Sequence, residues 1–202
     1  MVAIIDYGLG NLASVAKSFS AAGAETIITN NQEKIKRADK IILPGQGAFA
    51  DGINNLRASG LVQLLTQEVM NRKKPFLGIC LGLQLLAESG LENGRHDGLG
   101  WIKAKTVKLK SRGLRLPHMG WDNVKIAKPS PIFDGIPDDA DFYFAHSYYL
   151  NPIDKQIVTA TCDYGQKFPV ALRQNNIFAT LFHPEKSQKY GQQLIRNFLS
   201  NT

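Results

Sequence analysis

The chain has 202 residues, of which 44% are hydrophobic and 20% charged, with two cysteines and a formal net charge of +7. These values are ordinary for a globular domain, and no apolar run reaches the roughly 18 residues that a membrane helix needs. We expect no membrane partner, no disulfide framework and a cytoplasmic location. The positive charge is scattered, and its densest stretch, residues 103–115, alternates basic and apolar residues. We therefore expect no nucleic-acid partner; an acidic protein partner fits the charge better.

The first half of the chain alternates short apolar runs with helical patterns. We predict strands at residues 2–7, 25–30, 40–45 and 75–80, and helices from about residue 11, over 61–74 and over 81–89. Asn11 is a good N-cap for the first helix, and Gly23 is a good residue to end it. Strands that alternate with helices form a parallel sheet covered on both faces.

The second half is richer in β-like runs. They lie at residues 101–110, 114–121, 141–149, 156–162, 168–174 and 176–183, and a last helix is predicted over 187–201. No linker or internal repeat interrupts the chain. We predict an α/β fold over one domain, residues 1–202. It has a mostly parallel central sheet flanked by helices, with an antiparallel β part added in the second half.

A glycine–cysteine–glycine pattern, Gly78, Cys80 and Gly82, lies between an apolar strand and an apolar helix. This is the context of a nucleophile elbow, in which flanking glycines relieve collisions around a strained central residue. The amide of Leu81 is then a natural oxyanion donor. The alternative is a small buried side chain at the end of a glycine-containing strand.

A base and an orienting carboxylate lie close together near the end of the chain. His183 follows an apolar run, Glu185 comes two residues later, and Pro184 stiffens the turn between them. His183 would take the thiol proton, and Glu185 would fix its tautomer. By itself such a segment is more often a plain loop. The order Cys…His…Glu, however, matches nucleophilic α/β enzymes.

The loop over residues 43–49 is a second candidate oxyanion donor, since its glycines let the backbone approach a reacting centre. It could equally be a flexible βα loop. Residues 6–12 resemble the start of a dinucleotide fingerprint but lack its third glycine, which argues against NAD.

Three further residues could ligate a metal but have weak signals. No metal-ligand spacing links His118 or His146 to a cysteine or a carboxylate, so both are expected to be structural. Cys162 lies in a β-like run and is expected to be an inert buried thiol. We expect no metal and no cofactor.

Taken together, these motifs resemble the class I, triad-type glutamine amidotransferases. The segments are PFLGICLGLQ and FHPEKS, with IIDYGLGNLASV, LPGQGAF, LPHMGWD and YFAHSYY in addition. The combination is similar to the family of glutaminase subunits of imidazole glycerol phosphate synthase over nearly the whole chain.

The resemblance implies a mechanism and a set of binding residues. Cys80 would attack the carboxamide of glutamine, with His183 as base and then acid and Glu185 as its orienter. Gly47 and Gln84, with the backbone of Ser147 and Tyr148, would bind glutamine, and Gly47 would also turn an N–H into the oxyanion hole once the partner is loaded. The residues implied at a subunit interface are Asn11, Tyr143 and Lys186.

The implied partner is a (β/α)8-barrel cyclase subunit, bound as a heterodimer, which receives the ammonia and makes imidazole glycerol phosphate and an aminoimidazole carboxamide ribotide. Low glutaminase activity is expected without it. Three residues depart from the family pattern: Gln46 stands where Val is common, Asp122 where Asn is usual, and Leu181 where Gln is common.

Three alternatives stay open from the sequence. They are a paralogous glutaminase that feeds another synthetase, a stand-alone thiol hydrolase or redox chaperone, and a catalytically silent scaffold. Only the partner separates the first from the main hypothesis.

Overall fold

Thirteen strands and six α-helices are present in the computed structural model, which describes residues 1–202. The strands in chain order are β1 (Val2–Ile5), β2 (Thr26–Thr29), β3 (Lys40–Gly45), β4 (Phe76–Cys80), β5 (Ala87–Gly90), β6 (His96–Asp97), β7 (Ile102–Lys108), β8 (His118–Ile126), β9 (Ala140–His146), β10 (Tyr148–Pro152), β11 (Val158–Asp163), β12 (Lys167–Gln174) and β13 (Ile177–Thr180). The helices are α1 (Leu12–Ala21), α2 (Gln32–Arg37), α3 (Phe49–Ala58), α4 (Val62–Thr66), α5 (Leu81–Gln84) and α6 (Gln188–Asn201).

The larger sheet has nine strands in the order β2-β1-β3-β4-β13-β12-β11-β8-β9. Its first five strands pair in parallel, whereas β12, β11, β8 and β9 extend it with antiparallel pairs. A second sheet has the order β10-β7-β5-β6. The predicted α/β class, with its parallel centre and antiparallel addition in the second half, is confirmed.

Three of the parallel strands, β1, β4 and β13, are short apolar runs that are buried throughout. Every residue of β1, β4 and β13 is buried, as expected for strands covered on both faces. Helix α1 begins as predicted, because the side chain of Asn11 accepts a hydrogen bond from the Ser14 N–H at 3.2 Å. Gly23, with φ +93°, lies just beyond its end.

Two predicted helices differ from those observed. The segment predicted over 61–74 is α-helical only as far as Thr66 and continues as a π-helix, Gln67–Asn71. In that π-helix the buried carboxylate of Glu68 is paired with Arg72 and Lys74, each at 2.9 Å.

The helix predicted over 81–89 was wrong in its second half, because Ala87–Gly90 forms β5 and pairs with β7. Gly90 allows this placement, since a Cβ there would collide with the ring of Phe49. Tertiary pairing therefore overrides local helical propensity. Helices α2 and α3 were not predicted. No helix has both the length and the apolar character needed to cross a membrane.

The fold places the predicted catalytic segments at one edge. Strands β3, β4 and β13 are neighbours, with Gly45 opposite Cys80 and Thr180 opposite Ile79. Because parallel strands point the same way, their carboxyl ends bring the segments that follow residues 45, 80 and 180 together.

Candidate active site

Cys80 ends β4 in a backbone conformation that few non-glycine residues adopt, with φ 54° and ψ −106°. The two flanking glycines are required because a Cβ at either position would crowd nearby backbone. A Cβ on Gly82 would overlap the carbonyl oxygen of Leu43, and one on Gly78 would lie 3.0 Å from the backbone of Gly82. The turn therefore packs directly on β3 and holds the thiol at the edge of the sheet.

Leu81 follows the thiol as the first residue of α5, which has only four residues. Such a short helix has a small dipole, so any oxyanion stabilisation comes from individual N–H groups. The amide of Leu81, next to the reactive sulfur, is the best placed of these by chain position.

His183 and Glu185 form a buried pair. Nδ1 of His183 lies 2.8 Å from Oε1 of Glu185, and both side chains are 2% exposed. Since a carboxylate accepts hydrogen bonds, Nδ1 is the protonated nitrogen of this contact and Nε2 faces elsewhere. Nε2 has no hydrogen-bond partner within the protein.

Neighbouring charged groups change the pKa of His183. Burial alone lowers the pKa of His183, but the negative charge of Cys80 and then the carboxylate of Glu185 outweigh it and raise this pKa to about 10. A protonated imidazole beside the sulfur of Cys80 is the arrangement in which a histidine activates a cysteine nucleophile.

Ser187 holds the histidine segment in place, a role that the sequence analysis missed. Its hydroxyl donates to the carbonyl of His183 at 2.6 Å and accepts from the N–H of Tyr143 at 3.0 Å. The N–H of His183 in turn donates to the carbonyl of Tyr143 at 2.9 Å. Proximity to the HPE segment was the only sequence signal for this serine.

A cavity of about 400 Å³ opens above Cys80. Its lining residues are Gln46, Gly47, Cys80, Leu81, Gln84, Glu92, Pro117, Met119, Tyr143, Ala145, His146, Ser147, Tyr148 and Lys186. Every residue that was assigned to substrate binding from the sequence is among them. Gln84 donates from Nε2 to the carbonyl of Tyr148 at 3.3 Å, which joins two of these residues.

Glu92 is the one acidic residue of the lining, and it was not singled out in the sequence. One of its carboxylate oxygens accepts the N–H of Phe49 at 2.8 Å, at the start of α3. The other oxygen is available to a cationic group in the cavity.

Gly47 lines the cavity with φ +112°, a conformation that L side chains rarely adopt. Behind this loop, a Cβ on Gly45 would overlap the hydroxyl of Tyr7. That hydroxyl is buried and unpaired, and burial together with the charge of Cys80 raises the pKa of Tyr7. Tyr7 therefore lies beside the nucleophile, which its place in the sequence did not indicate.

Two of the three predicted interface residues lie at the cavity. Tyr143 and Lys186 line it, with the Lys186 ammonium 5.4 Å from the centre of the Tyr143 ring. Trp121 meets the same ring edge-on at 6.1 Å. Asn11 begins α1, which packs against the turn that contains Lys186.

His118 and His146 were expected to be structural, because no metal-ligand spacing in the sequence links either to a cysteine or a carboxylate. Asp122 lies four residues after His118 on the same strand, β8, and Cys162 of the neighbouring strand β11 also lies close to the His118 ring. His118 and His146 are also hydrogen-bonded to each other, Nδ1 to Nε2, at 3.1 Å. Cys162 is a free, buried thiol, as predicted.

Comparison with known proteins agrees with this geometry. Residues 3–202 match the family described as glutamine amidotransferase class-I. The chain belongs to the class-I glutamine amidotransferase family.

Two relatives of this amidotransferase are similar over almost their full length. It is 46% identical to imidazole glycerol phosphate synthase subunit HisH 1 of Campylobacter jejuni (strain RM1221), covering 98% of this chain and 99% of that protein. It is also 46% identical to subunit HisH 2 of that synthase from Methanococcus maripaludis, covering 98% of each chain. The resemblance stated from the motifs is thereby confirmed.

Solved structures agree on the fold. A chain of PurLQS from Thermotoga maritima superposes with a TM-score of 0.78 at 17% identity, covering 98% of the amidotransferase and 96% of that chain. At this identity the likeness concerns the fold alone.

Proposed function

We propose that this amidotransferase hydrolyses glutamine to glutamate and ammonia as the glutaminase subunit of imidazole glycerol phosphate synthase, in histidine biosynthesis. The observation that carries the proposal is the strained Cys80 turn beside the buried His183–Glu185 pair, at the floor of the 400 Å³ cavity. The similarity to two HisH subunits selects this member of the family.

The chemistry begins with the thiolate of Cys80. It attacks the carboxamide carbon of glutamine, and the N–H groups of Leu81 and Gly47 bind the oxyanion that forms. The imidazolium of His183 gives its proton to the leaving nitrogen, which departs as ammonia. Its raised pKa suits this role, because the ring is protonated when the nitrogen leaves.

A second half-reaction restores the enzyme. Neutral His183 takes a proton from water, which attacks the thioester carbonyl, and collapse of the intermediate releases glutamate and the Cys80 thiolate. Glu185 orients the ring and stabilises its charged form in both steps.

Substrate specificity follows from the polar groups of the cavity. Gln84, with the backbone at Ser147 and Tyr148, would hold the polar ends of glutamine. Glu92 would accept the α-ammonium group, since it supplies the one carboxylate of the lining. Hydrocarbon analogues would leave these groups unpaired and bind poorly.

The partner would be a (β/α)8-barrel cyclase subunit that receives the ammonia and releases imidazole glycerol phosphate and an aminoimidazole carboxamide ribotide. Ammonia in water near neutral pH is protonated and loses its nucleophilicity, so a closed passage between subunits keeps it reactive. Asn11, Tyr143 and Lys186 would contact the barrel, and Gly47 would complete the oxyanion hole only in the complex.

The 56 buried hydrophobic residues form one cluster, which supports a single domain over residues 1–202. The free state of both cysteines fits a cytoplasmic location.

The test is glutamine hydrolysis by the chain alone, and by the chain with the cyclase barrel and its nucleotide ligand. We expect low activity alone, stimulation of at least about 100-fold in the complex, and none with Cys80→Ala. Strong activity without any partner would instead support a stand-alone thiol hydrolase. Stimulation only by a different synthetase would support a paralogous glutaminase.

A further inference from the structure

Three potential metal ligands converge outside the cavity. Nδ1 or Nε2 of His118, a carboxylate oxygen of Asp122 and Sγ of Cys162 all lie within 4.8 Å of one another. Nε2 of His118 and Oδ2 of Asp122 are 3.1 Å apart. Two ligands of one tetrahedral Zn²⁺ ion lie about 3.3 Å apart when each bond is about 2.0–2.1 Å, so this pair needs almost no movement.

His118 is connected by short contacts to His146 and to Asp122. Three contacts lie in a row: the Tyr148 carbonyl to Nδ1 of His146 at 3.0 Å, Nε2 of His146 to Nδ1 of His118 at 3.1 Å, and Nε2 of His118 to Asp122. Each contact needs a hydrogen, whereas two neutral imidazoles carry only two. A metal ion on Nε2 of His118 would place the two hydrogens on the first two contacts, so that the carbonyl accepts one of them and the carboxylate binds the ion.

With an ion bound, Nε2 of His118 would give its lone pair to the metal, and Oδ2 of Asp122 lies 3.1 Å from this nitrogen. A proton between Nε2 of His118 and Oδ2 of Asp122 would link only these two of the three converging atoms. A metal ion would also bind the sulfur of Cys162.

Charge and chemistry are consistent with a divalent transition metal. One carboxylate and one thiolate balance two positive charges, and the neutral imidazole adds none, so the loaded site would be neutral. A bound cation would replace the proton of the Cys162 thiol with a metal–sulfur bond. The nitrogen, oxygen and sulfur set is that of Zn²⁺ and Co²⁺ rather than Mg²⁺ or Ca²⁺.

The ligands are held in position before any ion binds. The His118 ring is stacked between Phe144, at 4.7 Å, and Tyr164, at 4.1 Å. Oδ1 of Asp122 accepts the N–H of Asn123 at 2.8 Å, which directs Oδ2 toward the ring. His118 and Cys162 are buried, while the Asp122 side chain is 27% exposed and provides a path for entry.

We propose that His118, Asp122 and Cys162 form a binding site for a divalent transition metal, with Zn²⁺ as the preferred ion and a fourth position open toward solvent. Binding through Nε2 fixes the hydrogen of His118 on Nδ1, where it donates to His146. His146 then donates to the Tyr148 carbonyl, in the manner of the outer-shell partners of metal-bound histidines. The site is therefore linked through two rings to a backbone group of the glutamine cavity.

The test is titration of the metal-free full chain with Co²⁺ alone, followed by displacement with Zn²⁺. We expect one equivalent to produce the visible bands of tetrahedral Co²⁺ and a cobalt–thiolate charge-transfer band. Zn²⁺ should remove both. Asp122→Asn, which changes no volume, should weaken binding by at least about 100-fold, more than loss of an outer-shell partner costs. Asp163→Asn, at the exposed neighbouring carboxylate, is the matched control and should leave affinity nearly unchanged.

A second pair of variants separates this site from the active-site thiol. Cys162→Ser should abolish the charge-transfer band, whereas Cys80→Ser should keep it. The opposite result, a band that persists in Cys162→Ser and is lost in Cys80→Ser, would place the metal at the catalytic cysteine and overturn the proposal. Absence of any saturable band in the wild-type chain would overturn it as well. Neither outcome depends on whether the chain hydrolyses glutamine.

Discussion

Glu185 controls the charge of His183 through one short hydrogen bond. Glu185→Gln preserves the side-chain shape and an oxygen that can accept from Nδ1, but it removes a negative charge that raises the pKa of His183. With both residues buried, water does not replace the lost charge. We expect kcat to fall by roughly 10²–10⁴-fold while KM changes little, because the loss concerns the charged transition state. Steady-state kinetics of the complex at saturating glutamine measure this change.

The same substitution has a consequence for stability against pH. The pKa of His183 is about 10 in the folded protein and about 6.5 in an unfolded chain. The folded state therefore holds this proton more tightly. The resulting stabilisation is complete below about pH 6.5 and is lost as the pH rises through about 10. Denaturant unfolding between these values should show a smaller loss of stability in Glu185→Gln than in the wild type. An identical pH dependence in both chains would contradict the assigned role of the carboxylate.

Ser187 illustrates what a single residue adds without touching substrate. Its hydroxyl bridges the His183 carbonyl and the Tyr143 N–H, so the segment that contains His183 is tied to β9. Tyr143 also lines the cavity mouth. A displacement of β9 on partner binding would therefore be transmitted to the position of the imidazole.

At the scale of elements, the turn between β4 and α5 depends on close contact with β3. Gly82→Ala would drive a methyl group into the carbonyl oxygen of Leu43, which is backbone and cannot rotate away. We expect a loss of about 2–4 kcal/mol in the free energy of unfolding and loss of glutaminase activity, since the turn sets the position of the thiol. Urea unfolding and thiol-alkylation rates measure both effects.

Gly100→Ala provides the comparison for that substitution. Gly100 has φ +68°, but a Cβ there meets no atom within 4 Å. Gly100→Ala should lower the free energy of unfolding by only about 1 kcal/mol, the usual strain of a left-handed residue. It should leave the rate of Cys80 alkylation unchanged. Equal destabilisation by the two alanines would contradict the argument that contact with the Leu43 carbonyl determines the cost at Gly82.

The elements that could be predicted from the sequence are those whose burial follows from their own apolar residues. Strand β3 was predicted at its observed bounds and β4 within one residue, because each is a continuous apolar run covered on both faces. The helix predicted over 81–89 was wrong for the opposite reason, because contacts with other parts of the chain determine the structure of its second half. The segment after Gln84 has helical composition, but Gly90 and Gly98 let it approach other backbone and pair as a strand.

The same distinction applies to the site. Cys80, His183 and Glu185 were predicted because each lies within a local pattern of glycine, proline or apolar residues. Glu92, Tyr7 and the contact of His118 with Cys162 were not predicted. The positions of these residues depend on strand pairing and loop packing between distant segments, which no local pattern encodes.

At the scale of the whole molecule, exposed apolar side chains are few and unevenly placed. Met119 is 63% exposed and Trp121 48%, and both belong to β8 beside the cavity mouth. Tyr143 and Lys186 continue this surface. A large exposed aromatic next to a cation is the composition found at the centres of protein interfaces. We therefore expect the cyclase barrel to cover this face, directly over the point from which ammonia leaves Cys80.

Trp121→Ala tests that placement. A central interface tryptophan typically contributes about 2 kcal/mol or more, so the Kd for the barrel should rise by roughly 30-fold or more. The thermal midpoint of the free subunit should hardly change, since the side chain is half exposed. Calorimetric titration with the barrel measures the affinity.

Ile153→Ala is the matched control, because Ile153 is 74% exposed but follows β10 of the second sheet rather than belonging to β8. It should leave the Kd for the barrel unchanged. If Trp121→Ala binds the barrel as tightly as the wild type does, the partner docks elsewhere and the ammonia must take another path. If only Trp121→Ala weakens binding, and saturating barrel then restores stimulated hydrolysis, the tryptophan supplies affinity rather than catalysis. The passage for ammonia would then begin at the face that carries Met119 and Trp121.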